Sequence, residues 1–166
     1  MPNKKTNIVW IGGWAADLDN WADLFARSYP NFEHSYLSMG PIMGLEEGSE
    51  VNTQVLKEGQ IIVAWSLGSL WWQTEGKYLF KNLFPTLPLP RIHLVSPVTF
   101  FCREPLGWKP EVLDKMKAEL ERNPRRVLNN FAQRARMPPV SSSLVPACRW
   151  SLSARKEGLD YLKKQS

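Results

Sequence analysis

The stretch Gln60-Ile61-Ile62-Val63-Ala64-Trp65-Ser66-Leu67-Gly68 decides how this chain folds. Its first half is a continuous apolar run rich in β-branched residues, the pattern of a central parallel strand buried on both faces. Its second half opens a helix at once: Leu67, Leu70, Trp71, Thr74 and Tyr78 recur on one helical face. Strand and helix meet at Ser66, with small residues, Ala64 and Gly68, two positions to either side.

Upstream, residues 8–11 form a second buried strand, Ile-Val-Trp-Ile, ending at Gly12-Gly13. A helix follows, with Leu18, Trp21 and Phe25 in line, Leu24 widening the stripe and Asp17 as its cap. Residues 32–37 read as a strand, 39–49 as a Gly- and Pro-rich loop, and 50–56 as a short helix. Downstream, residues 84–90 carry three prolines and connect to a strand over 91–96, stopped by Pro97.

Beyond this point the pattern is helical. Residues 110–122 align Leu113, Met116 and Leu120. Asn123 caps a next helix with Pro124 at its first position, carrying Val127, Leu128, Phe131 and Ala135. Residues 137–146 form a Pro- and Ser-rich loop, and 151–164 a last helix with Leu152, Leu159 and Leu162, weakened by Gly158. No internal repeat is visible. The expected fold is α/β: a three-layer sandwich with a short, mostly parallel sheet and a helical appendage. It forms one domain over 1–166, with core sheet and helices in 1–104 and appended helices in 105–166. Right-handed crossovers put the strand before Ser66 mid-sheet. Ligands of such sheets sit at the carboxyl ends of the strands, here Gly12-Gly13-Trp14 and Trp65-Ser66-Leu67.

The composition bounds function. Of 166 residues, 43% are hydrophobic and 22% charged, which fits a globular chain able to bury a core unaided. The net charge of +5 is concentrated in Lys109, Lys115, Lys117, Arg122, Arg125, Arg126, Arg134 and Arg136. Solvated helix faces explain such a surplus. There is no zinc spacing, arginine-rich tail or basic run interleaved with aromatics, so neither nucleic acid nor a metal is expected. The apolar run at 8–11 is too short for a membrane span or a signal peptide, and the cytoplasm is the default location. Cys102 and Cys148 are far apart and suggest a reducing compartment.

A serine hydroxyl needs an exposed position, an oxyanion site and a base to act as a nucleophile. The strand–turn–helix context around Ser66 supplies the first. The alternative is a serine that only caps its helix. Further residues carry a resemblance. Ile11-Gly12-Gly13-Trp14 resembles the oxyanion segment of α/β-hydrolases. Ala64-Trp65-Ser66-Leu67-Gly68 is similar to the nucleophile elbow of the pimeloyl-acyl-carrier-protein methyl ester esterases of biotin synthesis. Leu94-Val95-Ser96-Pro97 with Phe100-Phe101-Cys102-Arg103 resembles their next strand. Phe131-Ala132-Gln133 and Gly158-Leu159-Asp160-Tyr161-Leu162 resemble their helical lid.

The resemblance implies Ser66 as nucleophile, the backbone N–H groups of Trp14 and Leu67 as oxyanion hole, and Gly13 and Trp65 as pocket wall. It also implies a small ester or acyl-thioester substrate, no cofactor, and a basic lid meeting an acyl carrier protein through Arg122, Arg125, Arg126, Arg134 and Arg136. Two departures stand out: Gly12 replaces the usual histidine, and Ala64 the first elbow glycine. In those esterases the acid and the histidine lie beyond the lid, so this chain is expected to be a truncated version without them. Of its own histidines, His93 sits mid-strand and His34 has no catalytic context. Asp17 and Asp160 have no histidine to orient, and Cys102 lacks an elbow. Three readings follow: an esterase, a catalytically silent acyl or carrier-protein binder, and a flavodoxin-like nucleotide module disfavoured by the lack of a G-x-G-x-x-G cradle. The exposed edge after residues 91–96 predicts either a homodimer or an edge covered by the terminal helices.

Overall fold

The computed structural model describes residues 5–42, 53–97, 101–103, 105, 107–135 and 148–165. Four strands, β1 (Asn7–Ile11), β2 (Glu33–Leu37), β3 (Ile61–Trp65) and β4 (Arg91–Val95), form one sheet in the order β2-β1-β3-β4. Every pairing is parallel. The chain grows outward from β1 to β2, then returns past β1 to β3 and on to β4. The topology therefore reverses between β1 and β3, and the crevice of such a sheet opens at that point.

The helices lie on both faces. A 3₁₀ turn (Leu18–Trp21) and α1 (Ala22–Ser28) cover one, packing Leu18, Trp21 and Phe25 on Ile8 and Trp10. The Trp10 and Phe25 rings stack at 4.0 Å. On the other face, α3 (Thr53–Glu58) and α4 (Leu67–Trp71) bury Leu56, Leu67, Leu70 and Trp71 against Val9, Ile11, Ile62 and Ala64. This second cluster is the main core and extends into α6 (Pro110–Arg122), α7 (Pro124–Arg134) and α8 (Leu152–Lys164). The Asn123 side chain accepts from the Arg126 N–H and caps α7; Ser151 does the same for α8 through Ala154. Among the described residues no helix is long and apolar enough to cross a membrane.

Several local expectations need correction. Leu24 is 41% exposed and does not widen the α1 stripe, because the 3₁₀ turn before α1 rotates the helix. The expected loop at residues 39–49 begins with a helical turn, α2 (Met39–Ile42), in which Met39 is fully buried. Its position near α8, with Gly40 against the Trp150 indole, overrides the Gly and Pro content. The expected helix at 50–56 is α3, shifted later; residues 43–52, like the expected loop at 137–146, lie outside the described residues. After α4 the helix passes through a π turn (Trp72–Gly76) into α5 (Lys77–Leu83). The wider turn moves the buried line to Trp72, Gly76 and Phe80, and Tyr78 faces solvent. In α7 the same inward role falls to Ala132, while Ala135 is exposed.

Candidate active site

Ser66 stands one residue beyond β3 with φ 52° and ψ −113°, a left-handed conformation for a residue with a side chain. Such backbone costs about 1–3 kcal/mol and persists only where its surroundings enforce it. Here the Ser66 N–H donates to the Val95 carbonyl (3.0 Å) and its own carbonyl accepts from the Leu70 N–H (3.0 Å). The turn is thus fixed from both sides. Its hydroxyl makes no capping bond to α4, which removes the reading of Ser66 as a simple helix cap.

Gly68 shows why the elbow needs a glycine. A Cβ there would sit 2.6 Å from the Gly12 carbonyl oxygen and 2.8 Å from Ile11 Cγ2. The helix after Ser66 therefore runs directly against the end of β1, bringing Gly12-Gly13-Trp14 beside the elbow. Among the described residues, the non-glycine residues in left-handed backbone are Ala15, Ser66 and Ser96. They follow β1, β3 and β4 in turn, so the strain gathers at one end of the sheet.

A cavity of 230 Å³ opens at this end, lined from the sheet side by Gly13, Trp14, Trp65, Ser66 and Ser96 and from the helical side by Phe101, Trp108, Phe131, Arg134 and Ala135. Of the residues singled out in the sequence, it brings together Ser66, Gly13, Trp14, Trp65 and Arg134. Leu67 follows Ser66 as the first residue of α4 and is fully buried. The Trp14 indole is clamped from outside the sheet. Its Nε1–H donates to the Arg155 carbonyl of α8 (2.8 Å), and its ring meets Phe131 of α7 edge-on (4.8 Å).

Neither histidine borders the cavity. His34 lies on β2, where its Nδ1 accepts from Trp10 Nε1 (3.0 Å) and its Nε2 bonds the Tyr29 carbonyl (3.1 Å). Those partners fix the tautomer with the proton on Nε2. His93 pairs in register with Val63 on the α1 side of the sheet and is exposed. Asp160 is engaged by Lys117.

Asp17 is not the expected helix cap: its side chain makes no capping bond. Only 2% exposed, it accepts from Ser38 Oγ (3.1 Å) and the Arg149 N–H (2.6 Å), pinning the segment that leads into α8 to the exit of β1. Cys102 is buried, and burial pushes the Cys148 thiol up from its ordinary value, the opposite of what a reactive thiol needs.

The basic residues divide. Arg122, Arg126 and Arg134 line a second concavity between α6 and α7, whereas Arg125 does not. Arg136 lies outside the described residues. Sequence reasoning missed Ser96, Phe101 and Trp108 as cavity residues; the proline after Ser96 and the aromatic residues beyond it were the available signal. No protein-family model matches the chain, and no curated protein matches it.

Proposed function

We propose that this chain is an α/β-hydrolase-like carboxylic ester hydrolase with Ser66 as its acyl-accepting nucleophile. The observation that carries the reading is the Ser66 turn: left-handed, uncapped by its own hydroxyl, and open to a cavity at the switch point of a parallel sheet. Ser66 Oγ adds to the ester carbonyl carbon. The Leu67 and Trp14 N–H groups receive the charge developing on the carbonyl oxygen. The bond to the alcohol oxygen breaks as that oxygen takes up the proton given off by the Ser66 hydroxyl; water then adds to the acyl carbon, releasing the acid and returning a proton to Ser66 Oγ. Gly13 and Trp65 wall the acyl side. The resemblance in sequence supports a finer assignment, an acyl-carrier-protein-linked methyl ester of biotin synthesis, with α6–α8 as a lid-like segment and Arg122, Arg125, Arg126 and Arg134 toward the carrier.

A second reading is favoured by one observation, the lack of any histidine or carboxylate among the described residues lining the cavity. In that reading the chain binds an acyl group or acyl carrier protein without turning it over. Losing the base costs on the order of 10⁴-fold or more in rate while oxyanion-hole catalysis persists. A fluorophosphonate probe separates the two. Labelling that disappears in Ser66→Ala supports the esterase. No labelling beside a reactive control esterase, with saturable and salt-sensitive carrier binding, establishes the silent binder.

A further inference from the structure

Behind the Ser66 turn, on the α1 face of the sheet, lies a further space of 190 Å³. Its deep side is built by Trp10, Leu18 and Trp21, all buried, and its mouth by Leu24 and Val95, both exposed. Phe25, Val63 and Trp65 complete the lining, so among the described residues no ionisable group borders it. Trp10 is held on two sides, stacked on Phe25 (4.0 Å) and bonded to His34 (3.0 Å). The deep wall therefore cannot swing in to close the space.

This lining selects its occupant. A charged group would lose its water there and gain no partner. Ring faces and edges favour an aromatic molecule. At the interior packing density of about 0.74, a space of 190 Å³ takes about 140 Å³ of molecule, a single ring with a short alkyl arm. An apolar cavity of about 150 Å³ is enough to bind benzene. A protein partner fits less well. A specific interface takes about 20–30 residues a side. The apolar surface here stops within one strand, because the preceding residues on the same face of β4 are His93 and Arg91, both exposed.

Two of the lining residues also hold the Ser66 turn. Trp65 is its covalent neighbour and borders the Ser66 cavity as well. The Val95 carbonyl accepts the Ser66 N–H (3.0 Å), and Ser96, the next residue, borders that cavity. A molecule seated between Trp65 and Val95 packs on the residues that fix the turn from behind.

We propose that this space is a binding site for a neutral single-ring aromatic with a short alkyl arm, and that Trp65 and Val95 carry its occupancy to Ser66. The site rests on its own residues and stands whether or not Ser66 is a nucleophile.

Amide resonances of the full chain, titrated with ethylbenzene, test this. Signals of Leu18, Trp21, Phe25 and Val63 shift together and saturate below about 1 mM. Trp65, Ser66 and Ser96 follow the same curve. Phenylacetate, a charged analogue, binds at least about tenfold more weakly. Leu24→Trp and Val95→Trp fill the mouth from α1 and from β4, and each abolishes binding. Leu87→Trp, on the exposed connection ahead of β4, leaves it unchanged. Spectra unchanged away from the substitution show that each variant is folded. Shifts centred on Trp108 and Phe131 would place the ligand in the Ser66 cavity and overturn the site. Shifts that never saturate, equal affinity for phenylacetate, or full binding by both filled variants would do the same. Broadening of these signals with chain concentration alone would give the face to a second copy and overturn the small-molecule assignment. Saturable shifts that leave Ser66 and Ser96 unmoved would overturn the coupling and keep the site.

Discussion

The two walls of the Ser66 cavity are built by opposite means. The sheet wall runs from the buried Gly13 and Trp14 to the half-buried Trp65 and Ser66 and the exposed Ser96, and its backbone is fixed by ladder hydrogen bonds and left-handed turns. The helical wall comes from the segment ahead of α6 and from α7, and α6, which connects them, is tied to α8 by Lys117–Asp160, Lys156–Glu121 and Lys163–Asp114, ion pairs whose members are partly or largely exposed. Pairs of that kind contribute about 0–1 kcal/mol each. A hydrogen-bonded wall fixes the geometry at Ser66, and an adjustable one shapes what reaches it. Trp14 is the exception that couples them, a residue of the sheet end held by a carbonyl of α8.

Four substitutions probe that contrast. Gly68→Ala strikes the fixed wall and should have the largest effect, about 3 kcal/mol of lost stability, because the added methyl meets backbone that cannot retreat. Denaturant midpoints measure it. A cost near zero would mean that the sheet wall yields as easily as the helices.

Gly158→Ala strikes the coupling. Alanine in an ordinary helix interior would add about 0.5–1 kcal/mol of stability. Here the new Cβ would lie 2.8 Å from Trp14 Cδ1, so the expected outcome is a net loss of about 1–2 kcal/mol with slower probe labelling of Ser66. A gain in stability with unchanged labelling would show the two walls to be independent.

Tyr161 joins α8 to the π turn, sharing a hydrogen bond with Thr74 Oγ1 (2.7 Å) and donating to Glu75 (3.0 Å). Tyr161→Phe should cost about 1 kcal/mol near neutral pH. Burial first, then the bond to and charge of Glu75, push the Tyr161 hydroxyl up to about 12 from its ordinary value of about 10. The folded chain therefore holds a proton that the unfolded chain gives up above pH 10. The contribution is complete below pH 10 and is lost as pH rises toward 12. Unfolding followed across that window should show a steeper decline for the parent chain than for Tyr161→Phe. Lys163→Gln, on the adjustable side alone, should leave the denaturant midpoint essentially where it is, even though its Nζ reaches both Asp114 oxygens (2.8 and 2.9 Å).

What was legible in the sequence follows the same division. The parallel sheet, β3 ahead of Ser66 and the Asn123 cap each depend on one strand or a few neighbouring residues, and local pattern sufficed for them. Asp17 could not be read as a buried anchor because its partner, Arg149, lies far along the chain. Met39 is buried by α8 rather than by any pattern around it. The meeting of Trp108, Phe131 and Arg134 with the strand ends depends on how α6 and α7 pack, which periodicity does not specify. Tyr78 was misplaced for a different reason: a 3.6-residue repeat was carried through a turn of another pitch.

That π turn has a consequence for chain length. A helix with one residue more than its regular hydrogen bonding requires holds an insertion within an unbroken element, rather than in a loop. Removing a single residue between Trp72 and Gly76 would turn α5 by about 100° relative to α4. The aromatic side chain delivered to the core would change with it. The number of residues between Ser66 and β4 is therefore a register setting, and a relative one residue shorter there would have a differently composed interior behind the same elbow.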